Sequence, residues 1–442
     1  MFELINARLP LISDMKYFSL KVSDGKIVDL KEQYSYIYDG NAYPIDREFP
    51  INSQNEIKLN VNGRAVLPGL VDSHMHMDKA FSLAFAPNQS GTLQEAVNSY
   101  LTAFPNFTYE NIKNRIMRTA LQALSFGTTV IRTHIDFDTR VDIKIMFRAL
   151  QAALEVKERL KDYIHIQIVL MCPFYELNQK DLEFLDMAAA MGVDGIGGAS
   201  HLGKAPEENI KQIFQIAIKH NKFIDLHTDE SDDPNVKTIK LIIQETGKNG
   251  YQGKVTVGHL CSLSAMNERE ASEIIEDIGK AKISVITLPA ANMYLQGRGD
   301  RGLVRRGVTR IRELSDAGVQ IAVASDNIND PFHPFGRGDL VMIGLLAGYA
   351  AHFGSPEDLY KLLLMMTAIP ANIVGMESYG IKEGHNASFV ILDANSIEQI
   401  FTNIPDKRWV YHNNHWTIRT DGKPVFQNKE LNVLWHTVDI KL

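Results

Sequence analysis

Residues 66–79 read Val-Leu-Pro-Gly-Leu-Val-Asp-Ser-His-Met-His-Met-Asp-Lys, an apolar run that follows a Pro-Gly pair and ends in two histidines. Positions 70–76 have the length of a strand. In a strand, residues two apart project to the same side, so His74 and His76 can face one ion. Alone the pair is a weak signal. Fourteen histidines in 442 residues give about 0.4 such pairs by chance, so the motif needs context. The context is a repeating pattern. Further runs rich in Val and Ile occur at 128–136, 165–171, 192–198, 222–227, 254–259, 282–288 and 320–326. Several lack polar alternation, as parallel strands buried on both faces do. Segments with helical periodicity, such as 150–160 and 207–220, separate them. Eight alternating strand–helix units predict an α/β fold whose strands close into a (β/α)8 TIM-type barrel.

The flanks break this alternation. Residues 1–66 read as short strands, with Ser23-Asp24-Gly25-Lys26 as a turn, and the same character returns from 376. There SFVILDA (388–394) reads as a strand and Asp421-Gly422-Lys423 as a second turn. The expected organisation is a small β-sandwich-like domain built from both chain ends (1–66 and 376–442) beside a barrel at 67–375.

Bulk properties narrow the function. A formal net charge of −7 argues against a nucleic-acid partner, which calls for a strong basic excess. Two cysteines, Cys172 and Cys261, exclude a four-thiolate zinc site and make a disulfide framework unexpected. The N-terminal residues lack the basic segment and apolar run of a secretory signal. No run of 18 apolar residues is present, so no membrane span is expected. These features lead to the expectation of a soluble cytoplasmic protein, with a homo-oligomer left open.

Metal-competent side chains recur at the strand ends. His227 closes FIDLHTDE, His259 closes VTVGHL and Asp326 closes AVASDN. In barrel enzymes the C-terminal strand ends converge on the active site. With His74 and His76, five such groups at the ends of four strands are hard to explain by packing.

At this point the chain resembles a known family. VLPGLVDSHMHMDK is similar to the first-strand signature of the amidohydrolase superfamily, and more closely to that of its cytosine deaminase group. The resemblance continues through NQSGTL (88–93), VIRTHID (130–136), LHTDESDD (226–233), LQGR (295–298), SDNINDPFHPFG (325–336) and YGIKEGHNASFVIL (379–392). It implies that His74, His76, His227 and Asp326 ligate one divalent metal, Zn or Fe, since imidazole suits both. No lysine ends the fourth run, where binuclear members carry a bridging one, so one metal is expected. The resemblance implies further that Glu230 carries protons to a ring nitrogen and that His259 polarises the attacking water or the developing oxyanion. Asp326 would take the water proton as the hydroxide attacks a ring carbon, and ammonia would leave.

The match breaks at pocket positions. The cytosine enzymes carry a substrate-binding glutamine where MCPFYEL has Pro173 or Phe174. Asn327 replaces a second aspartate, and Phe332 replaces a tryptophan. Phe174, Asn327 and Phe332 are therefore candidate substrate contacts, and the resemblance carries the reaction type rather than cytosine itself. HMDKAF and SDNI are also similar to the N-isopropylammelide hydrolases, which lack the glutamate retained here as Glu230. The expected substrate is a small N-heterocycle that loses ammonia. The alternative is cleavage of a ring amide, or of an N-alkylamino or chloro substituent of a triazine-like ring. A scaffold without activity would be expected to lose metal ligands, and this chain keeps all four with Glu230.

Weaker signals point elsewhere. The GxGxxG match from Gly297 to Gly302 has no βαβ frame. Its basic run (Arg298, Arg301, Arg305, Arg306, Arg310) reads as a solvated or interface patch, or as a reach towards an anionic substrate group. His134 reads as an inner-barrel support, and Met365-Met366 as core.

Overall fold

The computed structural model describes residues 1–47 and 56–422, so the expected turn ending at Lys423 and the remainder to 442 lie outside the described residues. Eight parallel strands form one sheet in sequence order: Leu70–Met75, Thr128–Asp136, His165–Cys172, Gly195–Gly198, Phe223–Thr228, Val255–His259, Ser284–Thr287 and Ile321–Val323. They are called the first to eighth strands below. Each pairs with the next. The ring closes through a parallel bridge between Met75 and Asp326. There Asp326 N donates to the His74 carbonyl (2.9 Å) and His76 N to the Asp326 carbonyl (3.1 Å). The barrel expected from the strand–helix alternation is thus the fold observed. The eighth strand is shorter than its apolar run, because the chain leaves the ladder after Val323 and returns only at Asp326.

Helices cover the barrel through apolar stripes. Glu268–Lys280 starts at Asn267, whose side chain accepts from Glu270 N, and buries Ala271, Ile274, Ile275 and Ile278. That i, i+3, i+4, i+7 spacing puts all four on one face. Arg148–Leu160 likewise buries Leu150, Ala153 and Val156 against the barrel.

Both chain ends build a second sheet of nine strands among the described residues. Ala65–Pro68 pairs antiparallel with Phe389–Leu392, which joins the two ends directly. Strands Ser13–Ser23 and Lys26–Gln33 meet at Asp24-Gly25, both at positive φ (49° and 72°), the backbone a tight two-residue hairpin requires. Phe2, Leu4, Leu20, Leu59, Phe389 and Trp409 share a core separate from that of the barrel. Among the described residues no helix is long and apolar enough to cross a membrane.

One buried ion pair ties the second sheet to the barrel. Arg408, on the strand Arg408–His412, donates through both Nη atoms to Asp339 (2.9 and 2.8 Å), and neither side chain is exposed. Asp339 also caps the helix Leu340–Ala351, accepting from Val341 N. Removing one partner leaves an uncompensated buried charge, which costs about 3–5 kcal/mol. Arg408→Leu should therefore lower the melting temperature by at least about 3 °C. An unchanged melting curve would show that the pair adds nothing to stability.

Candidate active site

The first, fifth, sixth and eighth strands deliver their terminal side chains to one point. His74, His76, His227, Glu230, His259 and Asp326 are all no more than 7% exposed. His227 Nε2 lies 3.2 Å from His74 Nε2 and 2.8 Å from His76 Nε2. Asp326 Oδ1 lies 3.7 Å from His74 Nε2 and 3.4 Å from His76 Nε2. Four atoms set tetrahedrally about an ion at 2.0–2.1 Å would be roughly 3.3 Å apart, so these separations bracket a bound metal's ligand shell.

Protons alone cannot satisfy this arrangement. His227 Nε2 can share a hydrogen with only one of the two imidazole nitrogens facing it. Both Asp326 carboxylate oxygens are buried without a hydrogen-bond partner. Burial above all holds His74, His76, His227 and His259 well below their ordinary value, in the neutral form that ligates metal. Burial, and next Asp330, pushes Asp326 up, and a cation reverses that direction. The residues fit a divalent ion.

His259 is close enough to be considered with them. Ligand atoms of His74, His227, His259 and Asp326 lie within 4.8 Å of one another. Asn292 Nδ2, however, donates to His259 Nδ1 (2.9 Å). With Nδ1 accepting there, the ring proton falls on Nε2, which has no hydrogen-bond partner among the described residues, an arrangement that suits a donor. Glu230 Oε1 lies 3.6 Å from His259 Nδ1. Burial, then Asp326, raises the Glu230 carboxyl well above its usual range.

The local backbone is bent to reach this geometry. His259, Leu260, Asp229 and Asp326 have φ of 69°, 51°, 51° and 61°, a conformation non-glycine residues rarely adopt. The supports are visible. Asp229 accepts from Thr238 N, Thr238 Oγ1 and Ile239 N. Leu260 N donates to the Thr228 carbonyl (2.9 Å).

Below the cluster, Asp225 joins three groups. It accepts from Arg132 Nη1 (2.8 Å) and lies 3.3 Å from His134 Nε2 and 4.0 Å from His74 Nδ1. Burial raises its carboxyl, but His134 and Arg132 outweigh that and hold it below the ordinary value. The His134 ring packs against that of His74, tilted by 35° with centroids 4.1 Å apart. Such outer partners orient metal-binding imidazoles.

A cavity opens above the cluster. His76, His227, Glu230, His259 and Asp326 form its floor, and Phe174, Asn327 and Phe332 line it, as does Pro173. Asn327 Nδ2 is committed to Asp330 Oδ2 (2.8 Å). Sequence reading singled out neither Lys79 nor Asp136. They meet at 2.9 Å on the cavity wall, with Lys79 Nζ 3.3 Å from His76 Nδ1. Burial pulls the Lys79 ammonium down, but Asp136 and Asp78 outweigh it and hold it above its usual value. Asp225 and Asn292 were missed as well. The only available signals were Lys79 three residues after His76 and Asp136 at the end of its apolar run. The arginine-rich loop does not line the cavity. Arg305 pairs with Asp300 at 2.7 Å, Arg310 donates to the Leu263 and Met266 carbonyls, and Arg298 packs over Tyr294.

This fold with this cluster defines a metal-dependent hydrolase of the barrel type. The chain belongs to the amidohydrolase family, whose sequence model matches residues 88–411, and it is accordingly a hydrolase acting on carbon–nitrogen bonds. It is 33% identical over 342 residues to the pterin deaminase of Rhizobium rhizogenes, covering 76% of this chain and 77% of that one. It is 30% identical over 351 residues to the N-isopropylammelide isopropyl amidohydrolase of Pseudomonas sp. (strain ADP), covering 76% and 82% respectively. Among solved structures, 5-methylcytosine deaminase from Klebsiella pneumoniae bound to 5-fluorocytosine superposes with a TM-score of 0.86. The identity is 27%, and the superposition covers 96% of this chain and 99% of that one.

The cluster generates a direct test. Protein purified without chelator should carry about one divalent transition metal per chain, and His227→Ala should lose most of it, as read by elemental analysis. Two metals per chain, or full occupancy in the variant, would contradict this ligand set.

Proposed function

We propose that this protein is a hydrolytic deaminase of a small amino-substituted N-heterocycle, converting a ring C–NH2 to C=O with release of ammonia. The observation that carries the reading is Glu230. It is a buried carboxyl that lines the cavity beside His259 and Asp326, and its Oε1 has no hydrogen-bond partner among the described residues. His74, His76, His227 and Asp326 would hold one Zn or Fe ion. No lysine ends the fourth strand, where Ala199 and Ser200 stand, which supports one ion rather than two. When bound, such an ion lowers the pKa of water to roughly 7, supplying a nucleophile near neutral pH.

The side chains account for the proton movements. Asp326 takes a proton from the attacking water while Glu230 gives its own to the ring nitrogen beside the reacting carbon. The oxygen adds to that carbon, and the Nε2 proton of His259 meets the charge developing on it. Glu230 then recovers a proton from the new hydroxyl. Asp326 returns the first to the departing amine, which leaves as ammonia. Phe174, Asn327 and Phe332 would contact the ring. The relatives that act on pterin and 5-methylcytosine rings support this class of substrate.

A second reading, removal of an alkylamino group, is supported by the relative that acts on N-isopropylammelide and by the apolar far wall of the cavity. Glu230 discriminates between the two. Glu230→Gln keeps size and hydrogen bonding but cannot relay a proton, so the turnover number for ammonia release should fall by at least about 10². Metal content should stay at the wild-type level. Full turnover in this variant would rule out the relay, and loss of metal would make Glu230 a ligand.

A further inference from the structure

The cavity is bordered by residues beyond the reacting end. One far wall is the helix Leu93–Ala103, which follows the N-cap Thr92. This helix carries two apolar stripes. Ala96 and Tyr100 are buried, and Tyr100 joins the main core. Leu93, Val97 and Leu101, at i, i+4 and i+8, are half-buried and line the cavity. At 1.5 Å per residue this second stripe is about 12 Å long. Met171, Phe174 and Leu202 line the same cavity. Among the described residues, Leu93, Val97, Leu101, Phe174 and Leu202 neither belong to nor pack against a hydrophobic cluster of the protein, while Met171 is itself buried. Apolar surface held at a cavity and left out of the core is surface kept for a ligand.

The charges on the wall narrow the ligand further. Both cationic side chains that line the cavity are matched there. Lys79 pairs with Asp136 at 2.9 Å and Arg140 with Asp138 at 2.7 Å, and all four residues are lining residues. Arg140 also lies over the Tyr175 ring (4.2 Å), whose hydroxyl donates to Asp138. With these cations engaged, the described residues of the wall leave no surplus positive charge for an anionic group.

We infer that the substrate ring carries a neutral, apolar substituent, seated between the Leu93, Val97 and Leu101 stripe and the side chains of Met171, Phe174 and Leu202. The inference rests on the deaminase reading for the position of the ring over the cluster. The occupant follows from continuity, since the same cavity contains Glu230 and Asp326 at its floor. The substituent would lie along the helix face while the amino-bearing carbon meets the ligand cluster.

The test uses the metal-loaded full-length protein and aminopyrimidine, aminotriazine and aminopterin-type rings, each as parent, propyl and carboxyethyl derivative. Each buried methylene is worth roughly fourfold. On any ring that releases ammonia, kcat/KM should be at least about tenfold higher for the propyl derivative than for the parent, with no such gain for the carboxyethyl one. Leu101→Ala and the near-isosteric Val97→Thr should each cut the propyl-to-parent ratio at least about threefold, with melting curves confirming folding. Equal rates for propyl and parent, or preference for the carboxylate, overturn the inference while leaving the deaminase reading intact. If no ring releases ammonia, the deaminase reading fails and calorimetric binding decides the inference. At least tenfold tighter binding of a propyl derivative supports it, and equal affinity overturns it.

Discussion

His227 Nε2 faces two other imidazole nitrogens at hydrogen-bond distance, with a buried carboxylate beside them. No distribution of protons gives each of those lone pairs a partner, and burial keeps the rings neutral. Removing such groups from water without partners costs several kcal/mol. A divalent cation resolves that cost, and the surrounding architecture can be understood as the means of holding these groups against their mutual repulsion. Asp225 and His134 brace His74 from below, Asn292 holds the His259 ring through Nδ1, and Asp229 pins the loop between the fifth strand and Glu230.

Barrel closure and site assembly are the same event. The last bridge of the ring joins Met75 to Asp326, and its hydrogen bonds run through the backbones of His74, His76 and Asp326. Two histidines from the first strand and the carboxylate after the eighth therefore reach their places only when the sheet closes. The left-handed backbone at Asp326 and His259 is strain that closure and neighbouring hydrogen bonds maintain. A site on rigid strand ends keeps its geometry better than one on free loops.

The architecture was legible in the sequence because buried parallel strands read as apolar runs. All eight were found, and the expected and observed ends agree within a few residues. The eighth differed most, since its run continues to 326 while the regular ladder ends at Val323. The residues brought together at the centre were legible for the same reason, being the polar residues that end apolar runs. What could not be read were partners set by three-dimensional proximity. Asp225 lies in mid-strand and looks like one residue of an alternating pattern, Asn292 sits in a short helix, and the Lys79–Asp136 pair joins two different strand ends. The arginine loop reads in the sequence either as a solvated or interface patch or as a reach to substrate. In the structure Arg305 pairs with Asp300 and Arg310 donates to backbone carbonyls, away from the cavity lining.

The cavity divides into a polar floor that handles protons and an apolar wall that faces them, so chemistry and recognition fall on different elements. The account stands or falls on the bond that breaks at that floor. Turnover in ¹⁸O-labelled water, with ammonia and product followed together, tests it most directly. The account predicts one labelled oxygen in the ring carbonyl for each ammonia released. Label incorporated with release of an alkylamine or chloride and no ammonia, or ammonia released without label in the ring, would contradict it.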